Sequence, residues 1–266
     1  MDHFSAILQL LICGGLVSIL LPLIGAPIVQ KRLSNIGDAL SHTSLAGVVI
    51  GLACGMSPLW MAVIIAIISS LIIEFIRKKF SKYTEISVVI VMSFAVGFVA
   101  IMSKYAGSGS TFSSYLFGAI SLATTSDTIV LLILAIITIL FFIGFYRQIF
   151  YVSYNELQAS LDGIHVRLFN IVQTILSAVV IAVSSKIVGA LIVSSLMVIP
   201  YAASLQITKS YKQSIIVSII LALISTIIGV LISYPLEIST SGTMIMVSVC
   251  ILIILMVYNK TFKFNK

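Results

Sequence analysis

The sequence predicts an all-α fold, a polytopic bundle of eight or nine transmembrane helices that forms a single domain over residues 1–266. Hydrophobic residues make up 60% of the chain and charged residues only 9%, whereas a soluble domain of this length needs far more polar surface. Apolar runs of span length fill most of the chain, and the alternation typical of a membrane β-barrel is absent. We therefore expect a multi-pass protein of the cell membrane (cytoplasmic or inner), surrounded by lipid.

Nine apolar runs are candidate spans, because a helix needs roughly 20 residues to cross about 30 Å of hydrocarbon. In chain order they lie near residues 5–29, 37–55, 58–76, 85–103, 128–146, 168–185, 187–207, 213–233 and 242–258. The first run is interrupted by Gly14-Gly15 and by Pro22, and the sixth and seventh runs are separated by a very short join. The loss of one crossing would leave eight spans and put both termini on the same side.

Lysine and arginine are distributed unevenly between the loops. If the N-terminus is outside and all nine runs cross, thirteen of the fifteen basic residues face the cytoplasm, and only Lys104 and Lys186 face outwards. This asymmetry favours that orientation. The net charge of +7 is then a result of membrane topology, because the basic residues lie at the ends of spans. We therefore expect no nucleic acid as a partner.

Two ionisable residues open the second run. Asp38 and His42 are four positions apart, so on a helix their side chains share one face, about 6 Å apart. An acid at the centre of a span costs roughly 2.5–3.5 kcal/mol to insert and is by default a candidate functional residue. Since a carboxylate oxygen and an imidazole nitrogen both bind borderline divalent metals, this pair predicts half of a metal site.

Small residues follow one another at four-residue spacing in the same run; they are Ala39, Thr43, Gly47, Gly51 and Gly55. Such a row lets another helix approach closely, because packing drives helix association in lipid. It lies one position away from the acid and the imidazole, so the approaching helix could sit beside them. Ordinary packing without a functional role is the alternative.

The longest polar stretch on the predicted cytoplasmic side is 147–167. Acidic and amide residues interrupt any spanning pattern there, while Leu157 and Leu161 are one helical turn apart. This pattern predicts a short amphipathic helix against the membrane that ends near Gly163. The segment is either a contact surface for a cytoplasmic partner or a plain solvated loop.

The remaining acids near the spans are expected to reach water. Glu74, Glu85, Asp127 and Glu237 each lie close to a predicted span end, where a side chain can extend to the interface. The sequence contains no G-x-x-x-x-G-K-[ST] phosphate loop and no HExxH zinc-protease motif. We therefore expect no catalytic residue and no enzyme activity in this chain, an intramembrane enzyme being the disfavoured alternative.

Four blocks of sequence occur in a fixed order along most of the chain. They are Gly37-Asp38-Ala39-Leu40-Ser41-His42 with Ser44-Leu45-Ala46-Gly47, Tyr115-Leu116-Phe117-Gly118 leading to Ser126-Asp127, Val188-Gly189 through Ile199-Pro200, and Tyr234-Pro235-Leu236-Glu237 with Ser241-Gly242. Together they make the chain resemble the metal-ion permease family of ABC transporters, the membrane subunits of ATP-driven zinc and manganese importers. The first block is the most specific, and its ending resembles the zinc branch more than the manganese branch.

The resemblance implies a permease that works as a homodimer or pair, with separate ATPase subunits on the cytoplasmic side and a metal-binding lipoprotein or periplasmic protein outside. It implies that Asp38 and His42 lie in the metal pathway, at or near a two-fold dimer interface. The coupling helix of such permeases has an Ala-x-x-x-Gly core, and the acid expected at its head is replaced here by asparagine. The corresponding coupling residues are Asn155, Glu156, Ala159 and Gly163.

Two protomers would together present two carboxylates and two imidazoles, enough for a four-coordinate site. The metal is then the transported substrate, with zinc favoured and manganese or iron as alternatives. We expect no permanently bound cofactor, and ATP acts through the partner ATPase. An ABC permease for an iron chelate, whose pathway would lack a ligating pair, is a further possibility. A stand-alone channel or secondary carrier would use the same pair without an ATPase.

Overall fold

The computed structural model describes residues 3–79, 84–102, 115, 118, 125–236 and 238–263. The helices within these ranges are, in chain order, α1 (His3–Gln30), α2 (Ile36–Ala53), α3 (Pro58–Lys79), α4 (Thr84–Met102), α5 (Thr125–Gly144), α6 (Tyr146–Tyr154), α7 (Glu156–Leu161), α8 (Val166–Val188), α9 (Ala190–Ser204), α10 (Tyr211–Leu236) and α11 (Thr240–Lys263). The predictions that concern Lys104, Leu116, Phe117 and Glu237 lie outside the described residues.

Eight of these helices, α1 to α5, α8, α10 and α11, are long and apolar enough to cross a membrane. The seventh predicted run forms α9, which is apolar but has only 15 residues and is therefore about 22 Å long. The predicted fold class, an all-helical bundle of eight or nine spans, is confirmed, with eight long helices and one short one.

The small residues of α2 bring it into backbone contact with α3. A Cβ atom at Gly47 would fall on the backbone of Ala62, and one at Gly51 would fall on Pro58. The row of glycines therefore serves close packing between two helices of the same chain. Gly55 lies beyond the end of α2, in the turn towards α3, with φ 67°.

The chain turns back on itself at one residue, Gly189, between α8 and α9. Its φ of 102° lies in a region that residues with a Cβ rarely adopt. Gly118 packs against this turn, since a Cβ there would fall on the carbonyl oxygen of Val188. From the turn, α9 runs among α1, α2, α10 and α11. Near its end, the Tyr201 hydroxyl donates to Oε1 of Gln30, the last residue of α1, at 3.3 Å.

One end of the bundle, called the basic end here, is where Lys31, Arg77 and Asn170 meet around Glu156. Lys31 lies in the turn after α1, Arg77 in the last turn of α3, Asn170 near the start of α8 and Glu156 at the start of α7. At the opposite end, Lys186 donates to Asp127. Because cytoplasmic loops carry the excess of lysine and arginine, we assign the basic end to the cytoplasm.

Candidate functional site

Asp38 and His42 lie on the first two turns of α2, towards the basic end. The residues between and after them, through Val49, are buried, whereas both of these side chains are only partly buried. The Asp38 carboxylate is close enough to His42 to interact with it electrostatically. Asp38 and His42, called the polar pair below, therefore form a partly open polar spot on an otherwise buried helix.

Contacts with three helices fix the rotation of α2 about its axis. Gly37 packs against α9, the hydroxyls of Ser44 and Ser185 in α8 are hydrogen-bonded at 3.1 Å, and Gly47 packs against α3. At 100° per residue, all three positions lie on the side of α2 away from the polar pair. These contacts therefore bury one side of α2 against α3, α8 and α9, and the acid and the imidazole lie on the opposite, less buried side.

The strip of α2 that carries the polar pair continues through Leu45 and Val49, at helical spacing. These two side chains are buried with Ala95 and Val99 of α4 in a small apolar cluster. The cluster lies on the side of the pair away from the basic end. Apolar packing therefore covers α2 beyond the polar pair, on the side away from the basic end, and the pair itself remains partly exposed.

The polar pair offers two groups that can bind a metal, a carboxylate oxygen and an imidazole nitrogen. Within the described part of the chain, no group of three or more histidine, cysteine, aspartate or glutamate residues comes together. A borderline divalent metal such as zinc takes four ligands in most protein sites. A complete site at Asp38 and His42 would therefore need donors from water or from a second copy of the chain.

The predicted coupling segment contains α6 and the six-residue helix α7. Asn155 caps α7, because its Oδ1 accepts from the backbone N–H groups of Leu157 (3.1 Å) and Gln158 (3.2 Å). Asparagine and aspartate are nearly equivalent at this position, so the departure from the expected acid leaves the capping intact. Gly163 follows the helix with φ 83°, a conformation that favours glycine.

Helix α7 has an inner and an outer face. Ala159 is fully buried against the bundle, whereas Leu157 and Leu161 are 74% and 80% exposed. The leucines are one helical turn apart, so they project on the same side. The two leucines therefore form a small exposed apolar area on the outer face of α7.

Glu156, the first residue of α7, reaches back into the bundle. Its Oε1 accepts from Asn170 Nδ2 at 2.9 Å and from Arg77 Nη1 at 3.2 Å, and Lys31 Nζ lies 3.9 Å away. Lys31 in turn donates to Asn170 Oδ1 at 2.8 Å and to Gln173 Oε1 at 3.3 Å. One carboxylate therefore joins α7 to the ends of α1, α3 and α8.

Lys31, in the turn after α1, is charged in a buried position. Burial lowers its pKa to about 8 from the ordinary 10.5, and the nearby Arg77 acts in the same direction. Glu156 and Glu74 oppose this effect and raise the pKa. These two carboxylates therefore favour the charged form of Lys31 at a position where burial disfavours it.

Two acids that we expected to reach water are buried instead. Glu74 accepts from Arg77 Nε at 2.9 Å, and Asp127 accepts from Lys186 Nζ at 2.5 Å. The prediction is wrong for these two because a basic side chain satisfies each acid within the protein, while Glu85 is exposed as predicted. The i, i+3 spacing of Glu74 and Arg77 was a usable signal, whereas Asp127 and Lys186 are 59 positions apart.

The sequence model of the ABC 3 transport family matches residues 3–259. A probable metal transport system membrane protein of Treponema pallidum (strain Nichols) is 30% identical over 243 residues, which cover 91% of this chain and 91% of that protein. The high-affinity zinc uptake system membrane protein ZnuB of Buchnera aphidicola subsp. Schizaphis graminum (strain Sg) is 27% identical, covering 91% and 95%. The manganese transport system membrane protein MntC of Listeria monocytogenes serovar 1/2a (strain ATCC BAA-679 / EGD-e) is 27% identical, covering 95% and 90%.

Among solved structures, the chain is similar to one chain of PsaBC from Streptococcus pneumoniae in complex with Fab. The TM-score is 0.85 at 21% identity, and the match covers 96% of this chain and 92% of the other. At this level of identity, the likeness establishes the arrangement of the helices.

Proposed function

The chain belongs to the ABC 3 transport family, and from this premise we propose that it is the membrane-spanning permease subunit of an ATP-driven importer of divalent metal ions. Its relatives include proteins named for zinc uptake and for manganese transport. The ending of the first sequence block favours zinc, with manganese or iron as the alternatives. ATP hydrolysis belongs to a separate ATPase chain.

The polar pair is the observation that carries this proposal. Asp38 and His42 are partly open on a helix whose other faces are buried, and a carboxylate and an imidazole both bind borderline divalent metals. In a two-fold dimer, two copies of the pair would supply two carboxylates and two imidazoles. These donors suit a four-coordinate ion with bonds of roughly 2.0–2.2 Å, and the charge of the ion would offset the cost of the carboxylates.

The cytoplasmic ATPase is the partner that we assign to the outer face of α7. Leu157 and Leu161 would enter an apolar groove of the ATPase, while Asn155 and Gly163 set the start and end of the helix. Ala159 is fully buried, so its small side chain lets α7 lie close to the bundle. On the opposite side of the membrane, a metal-binding protein would deliver the ion.

The proposal is tested by uptake into vesicles that contain the permease with its ATPase. ATP-dependent uptake of zinc or manganese should fall by about tenfold or more in Asp38→Ala and in His42→Ala, since each removes a ligand. Glu85→Gln, which removes an exposed carboxylate at the start of α4, is the matched control and should transport normally.

Near-normal uptake by both variants, at normal protein levels, would remove the polar pair from the pathway. Uptake by the wild-type chain without ATP or an ATPase would identify a channel or secondary carrier instead. Competition among zinc, manganese and iron in the same assay would assign the transported ion.

A further inference from the structure

We propose that Glu156 is a positioning residue that transmits movement of α7 to α1 and α3, and through them to the polar pair on α2. This inference rests on the proposed function, because it concerns how ATP-driven motion at α7 reaches the metal pathway. The contacts of one carboxylate, Glu156 with Arg77, Asn170 and Lys31, carry the argument.

The first step is the link from α7 into the bundle. Helix α7 has only six residues, and Glu156 is its first. The same oxygen atom accepts from Asn170 and Arg77 and faces Lys31. Charged hydrogen bonds of this kind are stronger than neutral ones, so a displacement of α7 acts on the ends of α1 and α3 together.

The second step runs through the turn between α1 and α2. Lys31 lies in the turn to α2, seven residues before Asp38. Backbone hydrogen bonds hold this turn, from Lys31 to Pro27 (3.1 Å), from Leu33 to Ile28 (3.0 Å) and from Ile36 to Leu33 (2.9 Å), the last joining it to the first residue of α2. A shift of the Lys31 side chain is therefore carried by a stiff turn to the helix turn that bears Asp38.

The third step runs along α3. Arg77 lies in the last turn of α3, and α3 packs along α2, with backbone contact at Gly47 and Gly51 near the other end of α3. Packed helices transmit displacement because their interfaces are not readily compressed. The routes through α1 and α3 therefore converge on α2.

The two acids beside Arg77 differ in a way that supports this role. The side chain of Glu74 is 7% exposed, whereas that of Glu156 is 41% exposed. The buried Glu74 keeps Arg77 in place on α3. A half-exposed ion pair contributes little to stability, so loss of the bond to Glu156 should leave the fold intact, because Arg77 keeps its buried partner Glu74.

The test measures metal uptake and ATP hydrolysis in the same vesicles, with the permease and ATPase assembled. In Glu156→Gln we expect complex assembly and ATP hydrolysis to be unchanged, while the number of ions transported per ATP falls by about fivefold or more. Arg77→Gln should lower the same ratio. The double variant should be no worse than Arg77→Gln alone, because Arg77→Gln already removes the contact with Glu156 together with the bonds to Glu74. Glu85→Gln is the control and should keep the wild-type ratio.

A normal transport ratio in Glu156→Gln would overturn this inference while leaving the proposed function intact. Failure of both Glu156→Gln and Glu156→Asp to assemble would make Glu156 a folding contact and would also overturn it. Absence of ATP-dependent uptake by the wild-type complex would refute the proposed function, and this inference with it.

Discussion

Arg77 and Glu156, 79 positions apart in the chain, are joined by a hydrogen bond of 3.2 Å from Arg77 Nη1 to Glu156 Oε1. The same guanidinium donates to Glu74 through Nη2 at 3.0 Å. Its planar, forked donors suit contact with two carboxylates at once, which a lysine at this position could not reproduce. Arg77 therefore connects a buried acid of its own helix with an acid of helix α7.

The stability of the protein should depend on pH through Lys31. Its folded-state pKa of about 8 lies below the ordinary 10.5, so between these values the unfolded chain binds more protons than the folded chain. Stability therefore rises as the pH increases from about 8 to 10.5, and below this range the full cost of the buried charge remains. Thermal unfolding in detergent should show this rise in the wild type and a smaller rise in Lys31→Met. The two increases in the free energy of unfolding should differ by about 3 kcal/mol at most. Equal slopes in the two proteins would contradict the burial of Lys31.

The ion pair at the end opposite the basic end should contribute to stability. The Asp127 side chain is 6% exposed, so Lys186→Met would leave its charge without the lysine and should lower stability by roughly 2 kcal/mol. Further replacement of Asp127 by asparagine should recover part of this loss. Lys212→Met, at an exposed position, provides the matched control in thermal unfolding. If Lys186→Met and Lys212→Met lowered stability equally, the ion pair between Lys186 and Asp127 would make no contribution to stability.

A dimeric metal pathway predicts that position 42 lies close to its counterpart in the second protomer. In a chain whose own cysteines are replaced by alanine, His42→Cys should form dimers with a short bifunctional thiol reagent, as detected on a denaturing gel. Leu140→Cys, on an exposed face of α5, should remain monomeric under the same conditions. Cross-linking at position 140 but not at 42 would place the interface elsewhere.

The turn after α7 should tolerate only residues that accept a positive φ. Gly163 has φ 83°, and among the described residues no side chain or more distant backbone lies within 4 Å of the place that a methyl group would take. Gly163→Ala therefore adds backbone strain alone, about 1 kcal/mol. Gly97→Ala, at an equally open position in α4, adds no such strain and should be neutral or stabilising. Thermal unfolding of the two variants distinguishes these effects. An equal change in unfolding temperature in Gly163→Ala and Gly97→Ala would contradict the presence of strain at Gly163.

Membrane orientation can be measured with the natural cysteines. Cys54, at the end of α2 away from the basic end, is exposed, Cys13 is buried, and Cys250 is exposed on the apolar helix α11. A membrane-impermeant maleimide added to intact cells should therefore label Cys54 and leave the other two unmodified. Labelling only after the cells are permeabilised would reverse the assigned orientation.

The sequence alone predicted most of the fold, because span length and basic-residue asymmetry are local signals. The third run, predicted at 58–76, begins at the same residue as α3 (Pro58–Lys79). The helical placement of Asp38 and His42 also follows from their spacing. In contrast, the contact between Arg77 and Glu156 depends on tertiary packing across 79 positions, and no local pattern indicates it. The burial of Asp127 was missed for the same reason, since its partner is a distant lysine.

The shortness of α9 has a consequence for how the protein is made. A segment of 15 residues is too short to be recognised by the insertion machinery as an independent span, which requires roughly 20 residues. The backbone break at Gly189 also leaves polar groups that lipid cannot satisfy but neighbouring protein can. We therefore expect α9 to enter the bilayer together with α8 as a hairpin, and to reach its final packing only after α10 and α11 have been synthesised and can enclose it.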